Sequence, residues 1–165
     1  MPRRKPSPKQ GTRGTAKTRK MQRCLADHIL AMTDEYTVAS GAEATGLTPN
    51  DIKNLRVGNM PSLRILVQLV KTLRYTPSSL IAKGTPKKLT KGVSVRGAQE
   101  RLIKARIMKI SQEETPADLA KRTGLSIASI YQFRTKAANV GLHSYLAFVA
   151  AGFSADELLL GSKKK

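Results

Sequence analysis

Apolar side chains recur along this chain at the three- and four-residue spacing of helices that bury one face. One such stripe runs from Met21 to Met32 and predicts a helix at about 20–33. Another runs from Leu63 to Leu73. The β-branched runs and Asn-Gly turns that are typical of hairpins are missing from the sequence. The pattern therefore predicts an all-α protein.

The helical pattern repeats at an offset of 78 residues. The sequence Thr-Gly-Leu at 45–47 recurs at 123–125, and further positions match at the same offset on both sides. The matching pairs include Leu25 with Ile103, Ile29 with Ile107, Ile52 with Ile130, Leu55 with Phe133, Arg56 with Arg134 and Leu80 with Leu158. Matches at so many apolar and capping positions indicate one fold used twice.

Helix-capping residues divide each copy into five short helices. Thr48-Pro49-Asn50-Asp51 predicts the start of a third helix with Thr48 as its N-cap, and Gly46 is placed to end the second. Units of this size are marginally stable, so we expect them to pack on each other or to gain stability from a ligand. The predicted segments are a disordered basic arm at 1–19, a first domain at 20–83, a basic linker at 84–98, a second domain at 99–160 and a basic tail at 161–165.

Charge sets the linking segments apart from the two domains. The chain has 30 Lys and Arg against 11 Asp and Glu, a net charge of +19. Basic side chains without acidic ones fill residues 1–20, 84–98 and 161–165. Such an excess favours a polyanionic partner, either nucleic acid or an anionic membrane surface. No apolar run approaches the ~18–20 residues of a membrane span, so we expect nucleic acid and no membrane.

Residues that carry enzyme chemistry are few. Cys24 is the single cysteine and we expect it to be buried, while His28 and His143 stand alone on helices. No zinc-type spacing, nucleophile–base pair or glycine-rich phosphate loop is visible. The sequence therefore predicts a protein that is not an enzyme, holds no metal or cofactor, and is cytoplasmic and nucleoid-associated.

A glycine turn between two short helices is the geometry of a helix-turn-helix. Residues 37–58 resemble the lambda-repressor-like (Cro-type) helix-turn-helix family, and residues 115–133 resemble it better. The endings at 73–80 and 152–159 are similar to the closing segment of that family. The resemblance implies two tandem five-helix helix-turn-helix domains in one chain.

The sequence departs from the family at several positions. Gly41 stands where the family usually has a core Leu, and Thr45 and Thr123 replace an apolar residue. Lys136 stands where the first copy has Gly58. We therefore expect looser packing in the first copy.

The resemblance implies a transcriptional regulator of bacterial or phage type, with the third helix of each copy in the major groove of double-stranded DNA. The implied contact residues in the first copy are Thr48, Pro49, Asn50, Lys53, Asn54 and Arg56. In the second they are Ser126, Ile127, Ser129, Tyr131, Gln132, Arg134 and Lys136. Asn and Gln suit adenine, and Lys suits guanine or phosphate. Because the two sets differ, we expect an asymmetric DNA site, or one copy that reads bases and one that grips phosphate.

Two other readings of these residues stay open: Tyr131 packed against the linker, and Arg56 and Arg134 as solvated or paired surface residues. The basic segments are expected to follow the DNA backbone or a minor groove. Their residues are Arg3, Arg4, Lys5, Lys9, Arg13, Lys87, Lys88, Lys91 and Arg96. An extended linker, at ~3.3 Å per residue, would exceed the ~34 Å between successive major grooves, so one chain can imitate a dimer.

Two other functions fit the same features. One is an architectural nucleoid or genome-packing protein with little base preference, which the high charge favours. The other is a regulator that binds RNA polymerase or a partner protein through one domain. Both a monomer with paired domains and a homodimer are compatible with the pattern. A base-stacking RNA platform is disfavoured, because the chain has only four Tyr and three Phe.

Overall fold

The computed structural model describes residues 15–135 and 139–162, and the regular secondary structure of these residues is helical. The ten helices found there are α1 Ala16–Thr33, α2 Val38–Thr45, α3 Pro49–Arg56, α4 Leu63–Leu73, α5 Pro77–Leu80, α6 Glu100–Glu113, α7 Pro116–Thr123, α8 Ile127–Arg134, α9 Leu142–Ala150 and α10 Ala155–Leu160. This part of the chain has no β-strand, which confirms the predicted all-α class. Within it, no helix is both long enough and apolar enough to cross a membrane.

Side-chain caps set where most of these helices begin. In eight of them a hydroxyl accepts a hydrogen bond from the backbone N–H three residues further on: Thr15, Thr37, Thr48, Ser62, Thr76, Thr115, Ser126 and Ser154. At α3 the carboxylate of Asp51 also accepts from the N–H of Thr48, so the predicted capping box is confirmed. Helices α7 and α8 begin and end 78 residues after α2 and α3.

Helix α1 begins earlier than the apolar stripe predicts. The sequence places a disordered arm at 1–19, whereas the helix starts at Ala16. Thr15 is the physical reason, because its side chain accepts from the N–H of Thr18. Thr18 is itself fully buried, and Lys17 Nζ donates to the carbonyl of Ala150 in α9. These contacts hold residues 16–19 in α1, although their polar composition predicts that they belong to the arm.

The helices share one hydrophobic core that joins the first half of the described chain, residues 15–83, to the second half, residues 99–162. Between the halves, α1 packs against α9, α4 against α6 and α5 against α10. At the last contact the backbone N–H and the hydroxyl of Ser78 both donate to the carboxylate of Asp156. The expected packing of the two halves on each other is therefore present.

The basic linker, residues 84–98, runs along the end of the first half. The N–H of Thr76 donates to the carbonyl of Lys87 at 2.8 Å, and the N–H of Leu89 donates to the carbonyl of Arg74 at 2.6 Å. An isolated antiparallel bridge lies between these bonds. The linker is therefore not the extended spacer that its length allows, because this backbone pairing holds it against the end of α4.

Candidate nucleic-acid interface

Two pairs of short helices, α2–α3 and α7–α8, have the same turn. Gly46 ends α2 at φ 70° and ψ 12°, and Gly124 ends α7 at φ 71° and ψ 11°. This left-handed conformation favours glycine. A Cβ at Gly46 would also lie 2.7 Å from Thr72 Oγ1, and one at Gly124 would lie 2.8 Å from Thr15 Cγ2. The backbone conformation therefore favours glycine at this turn, and the neighbouring side chains would have to shift to admit a Cβ.

Buried threonines brace each turn from the inside. Thr45 Oγ1 donates to the carbonyl of Gly41 at 2.6 Å and accepts from the N–H of Leu47 at 3.4 Å. Thr123 makes the same two hydrogen bonds in the second half. A buried hydroxyl that is hydrogen-bonded carries little penalty. The departure from an apolar residue at these positions therefore leaves the turn fully bonded.

The outer face of α3 is polar and open to solvent, while Ile52 and Leu55 bury its inner face. All six contact residues expected in the first half are exposed: Thr48, Pro49, Asn50, Lys53, Asn54 and Arg56. Buried Asp51 serves the helix start. Burial alone raises the pKa of Asp51, but hydrogen bonds from Thr48 and Arg64 together hold it below its ordinary value.

Arg56 has a structural role that the sequence did not predict. Its guanidinium donates to the carbonyl of Thr33 at 2.7 Å and to that of Tyr36 at 2.6 Å. These bonds close the C-terminal end of α1, where free carbonyls favour a cation. The donors of Arg56 are thus partly occupied inside the protein, and the role expected for it on the DNA backbone is weakened.

The outer face of α8 is more apolar than that of α3. Four of its expected contact residues are exposed, namely Ser126, Ile127, Tyr131 and Gln132, while Ser129 and Arg134 are half-buried. Ile127 is 49% and Tyr131 54% exposed, and they lie one helical turn apart on one face. More than half of Tyr131 is open to solvent, so it is not packed away against the linker as one reading of the sequence had it.

Equivalent positions on the two helices carry partly unlike side chains. Lys53 of α3 corresponds, 78 residues later, to Tyr131 of α8, whereas Asn54 and its counterpart Gln132 are both amides. An ammonium group suits guanine or phosphate, whereas an apolar or aromatic side chain suits a thymine methyl. The two outer faces therefore offer different chemistry on the same backbone frame.

The basic linker residues divide into free and engaged cations. Lys87, Lys91 and Arg96 are exposed. Lys88 is exposed as well, but its Nζ donates to the carbonyl of Leu73 at 2.5 Å and lies 3.8 Å from the centre of the Tyr75 ring. Lys88 is therefore a poorer phosphate ligand than expected. Six further residues expected to contact DNA, Arg3, Arg4, Lys5, Lys9, Arg13 and Lys136, lie outside the described residues.

Three exposed apolar side chains near the end of α3 were not found by sequence reasoning. Tyr36 is 45%, Val57 76% and Met60 55% exposed. Val57 follows the last residue of α3 and Tyr36 contributes a carbonyl to Arg56. Val57 and Met60 lie between α3 and α4, outside the apolar stripes of the predicted helices. An apolar residue at such a position could have been predicted to be exposed.

Little in the described residues points to catalysis. They contain no group of three His, Cys, Asp or Glu side chains placed to hold a metal ion. Cys24 is free and buried, as expected. Burial, with a smaller effect of the Asp156 charge, raises the pKa of Tyr145, whose hydroxyl donates to the carbonyl of Ala155. Burial lowers the pKa of Arg106. Tyr145 belongs to the core, and Arg106 donates to backbone carbonyls of residues 97, 158 and 159.

Searches with this chain among known protein families, curated proteins and solved structures find no match.

Proposed function

We propose that this protein binds double-stranded DNA through two tandem five-helix helix-turn-helix domains, as a sequence-specific transcriptional regulator of bacterial or phage type. The resemblance to the lambda-repressor-like (Cro-type) family, carried by residues 37–58 and 115–133, is part of the proposal. In it, α3 and α8 are the recognition helices, and the basic arm and linker contact the DNA backbone. The protein acts in the cytoplasm, associated with the nucleoid.

One observation carries the proposal. Helices α7 and α8 repeat the lengths of α2 and α3 at the 78-residue offset, with the same left-handed glycine between them. In both pairs the second helix buries only its inner face. A short helix held on one side and open on the other is what the major groove accepts.

The surface charge of the chain supports the same partner. The net charge of +19 favours a polyanion. The outer face of α3 combines Lys53 with Asn50 and Asn54, which is a set of donors and acceptors suited to base edges. Exposed Lys87, Lys91 and Arg96 add cations in the linker that suit phosphates.

Selection from random duplexes, followed by affinity measurement at fixed salt, tests the proposal. We expect the selected sequence to bind at least ~10³-fold more tightly than random duplex. Lys53→Ala should weaken binding to the selected site and lower the slope of log affinity against log salt by ~0.9. The matched control, Lys109→Ala, removes an exposed lysine of α6 and should leave both quantities unchanged.

The strongest alternative is an architectural protein that packs DNA with little base preference. The high net charge and the basic linker favour it. A ratio of selected to random affinity below ~10³ would support packing. Equal effects of Lys53→Ala and Lys109→Ala would do the same, since only total charge then matters.

A partner-protein role for α8 is favoured by its exposed Ile127 and Tyr131. In that case one domain binds DNA and the other binds RNA polymerase or another regulator. The double substitution Tyr131→Ala and Gln132→Ala distinguishes the two roles. Loss of DNA affinity in the double variant supports DNA reading by α8, and unchanged affinity supports the partner role.

A further inference from the structure

The contacts between the two halves are reciprocal. Helix α5 packs against α10, its counterpart at the 78-residue offset. Helix α1 of the first half packs against α9, and α6, the counterpart of α1, packs against α4, the counterpart of α9. Contacts that recur with the partners exchanged are the signature of an isologous, twofold interface. The halves are thus arranged like the subunits of a dimer.

A hydrogen-bonded pair marks the middle of this interface. Ser78 N and Oγ lie 2.9 and 3.0 Å from the two carboxylate oxygens of Asp156. These residues are exact counterparts in the repeat, and a residue meets its own counterpart only beside a twofold axis. The axis therefore passes close to the starts of α5 and α10.

The connection between the halves gives them little freedom to separate. The linker backbone is bonded to residues 74–76 along the end of α4. On the other side of the interface, the Arg106 guanidinium joins the linker to α10 by donating to the carbonyls of Gly97 and Leu158, both at 3.0 Å. The halves are held by packing and by the folded linker together.

Resting on the DNA-binding function proposed above, we infer that the target is a non-palindromic duplex in which two unlike half-sites keep one order and one spacing. The twofold packing makes α3 and α8 fixed counterparts, so the distance between them is a property of the fold. The outer faces differ at Lys53 against Tyr131 and at Asn50 against Ala128, which makes the half-sites different. The unlike faces alone predict an asymmetric DNA site. The fixed spacing between its two half-sites is the additional inference from the structure.

The spacing is tested with the full chain and the duplex that selection yields. Inserting about five base pairs between the half-sites, half a helical turn, should lower affinity about 100-fold, because one half-site is lost. Inserting about ten base pairs restores the helical phase, but the half-sites are then further apart than the fixed distance between α3 and α8. Affinity should therefore stay low. Recovery at the full-turn insertion indicates a flexible tether and overturns the inference.

Substitutions assign the half-sites. In a repeated selection, Asn50→Ala with Asn54→Ala should erase base preference in one half-site, and Gln132→Ala in the other. Loss of preference in the same half-site by both variants overturns the inference, as does a palindromic motif. DNA binding as such stands in either case. If selection enriches no sequence above random duplex, sequence-specific recognition fails first, and the fixed site fails with it.

Discussion

The two halves of the chain close the same helix end with different side chains. In the first half, both ring nitrogens of His28 lie 2.8 Å from carbonyl oxygens, those of Leu80 and Gly84. In the second half, Arg106 stands 78 residues later and donates to the carbonyl of Leu158, the counterpart of Leu80. An imidazole has two ring nitrogens, whereas a guanidinium offers five donors.

The same contrast recurs throughout the two halves. Backbone positions, turn glycines and buried hydroxyl bonds are kept, while the side chains around them differ. Inside the protein the differences are compensated by neighbours, as with the helix ends. On the outer faces of α3 and α8 no such compensation operates, because those side chains touch solvent. The differences that matter for function are therefore expected on these faces.

The largest expected difference in stability between equivalent positions lies at Gly41 and Leu119. Leu119 is fully buried, so Leu119→Ala should lower the free energy of unfolding by about 2–5 kcal/mol. Gly41→Ala should raise it by about 0.5–1 kcal/mol, since alanine is the better helix former. The added Cβ would lie 3.5 Å from Tyr36 Cβ, an ordinary contact.

Urea unfolding of the two variants measures this difference. Destabilisation by Gly41→Ala would show instead that Thr33 and Tyr36, which border Gly41, pack too closely to admit a methyl group. The expectation of looser packing in the first half would then be wrong.

A smaller difference is expected at the helix ends closed by His28 and Arg106. Arg106→Ala removes a charged donor from the carbonyls of Gly97, Leu158 and Leu159, and should cost about 2 kcal/mol of unfolding free energy. His28→Ala, with fewer donors, should cost about 1 kcal/mol. Thermal unfolding compares the two directly. The reverse order of stability would mean that the imidazole is the stronger cap.

The smallest expected effect concerns Asp51, whose counterpart in the second half is Ser129. Asp51→Ala removes half of a capping box and should cost about 1 kcal/mol at neutral pH. Because the pKa of Asp51 is lowered in the folded protein, its carboxylate stabilises the fold above its ordinary value of 3.8. That contribution disappears as the pH falls through the lowered folded-state pKa.

Unfolding free energies at neutral pH and below pH ~4 measure this contribution. The gap between the native protein and Asp51→Ala should shrink on acidification. Ser129→Ala is the control and should leave no pH-dependent gap, because a hydroxyl does not titrate in this range. A gap for Asp51→Ala that persists at low pH would assign the effect to packing instead.

Local signals in the sequence predicted most of the helix starts and ends. Thr37, Thr48, Thr115, Ser126 and Ser154 cap helices through bonds to residues three positions away, so the pattern is readable in a short window. The exposed positions of α3 and α8 were predictable for the same reason, since Ile52 and Ile130 fix which face is inward.

Contacts across long stretches of chain were beyond the sequence pattern. Arg56 and His28 bond to carbonyls 20 or more residues away along the chain. Because every residue has a carbonyl, the sequence does not mark which one a side chain will contact. The path of the linker depends on backbone pairing with residues 74–76, which no side-chain period records. Its cations were therefore assigned to DNA as a group, although Lys88 has an internal partner.

The bond between Ser78 and Asp156 has a consequence for how such a molecule can arise. Two identical subunits would bring together either two hydroxyls or two carboxylates at this place, and paired carboxylates repel each other. An alcohol facing an acid requires two unlike halves, and a polypeptide that contains both halves in one sequence provides them. A single chain thus allows each side of the twofold arrangement to carry its own side chains, and it makes exchange of partners between molecules unfavourable.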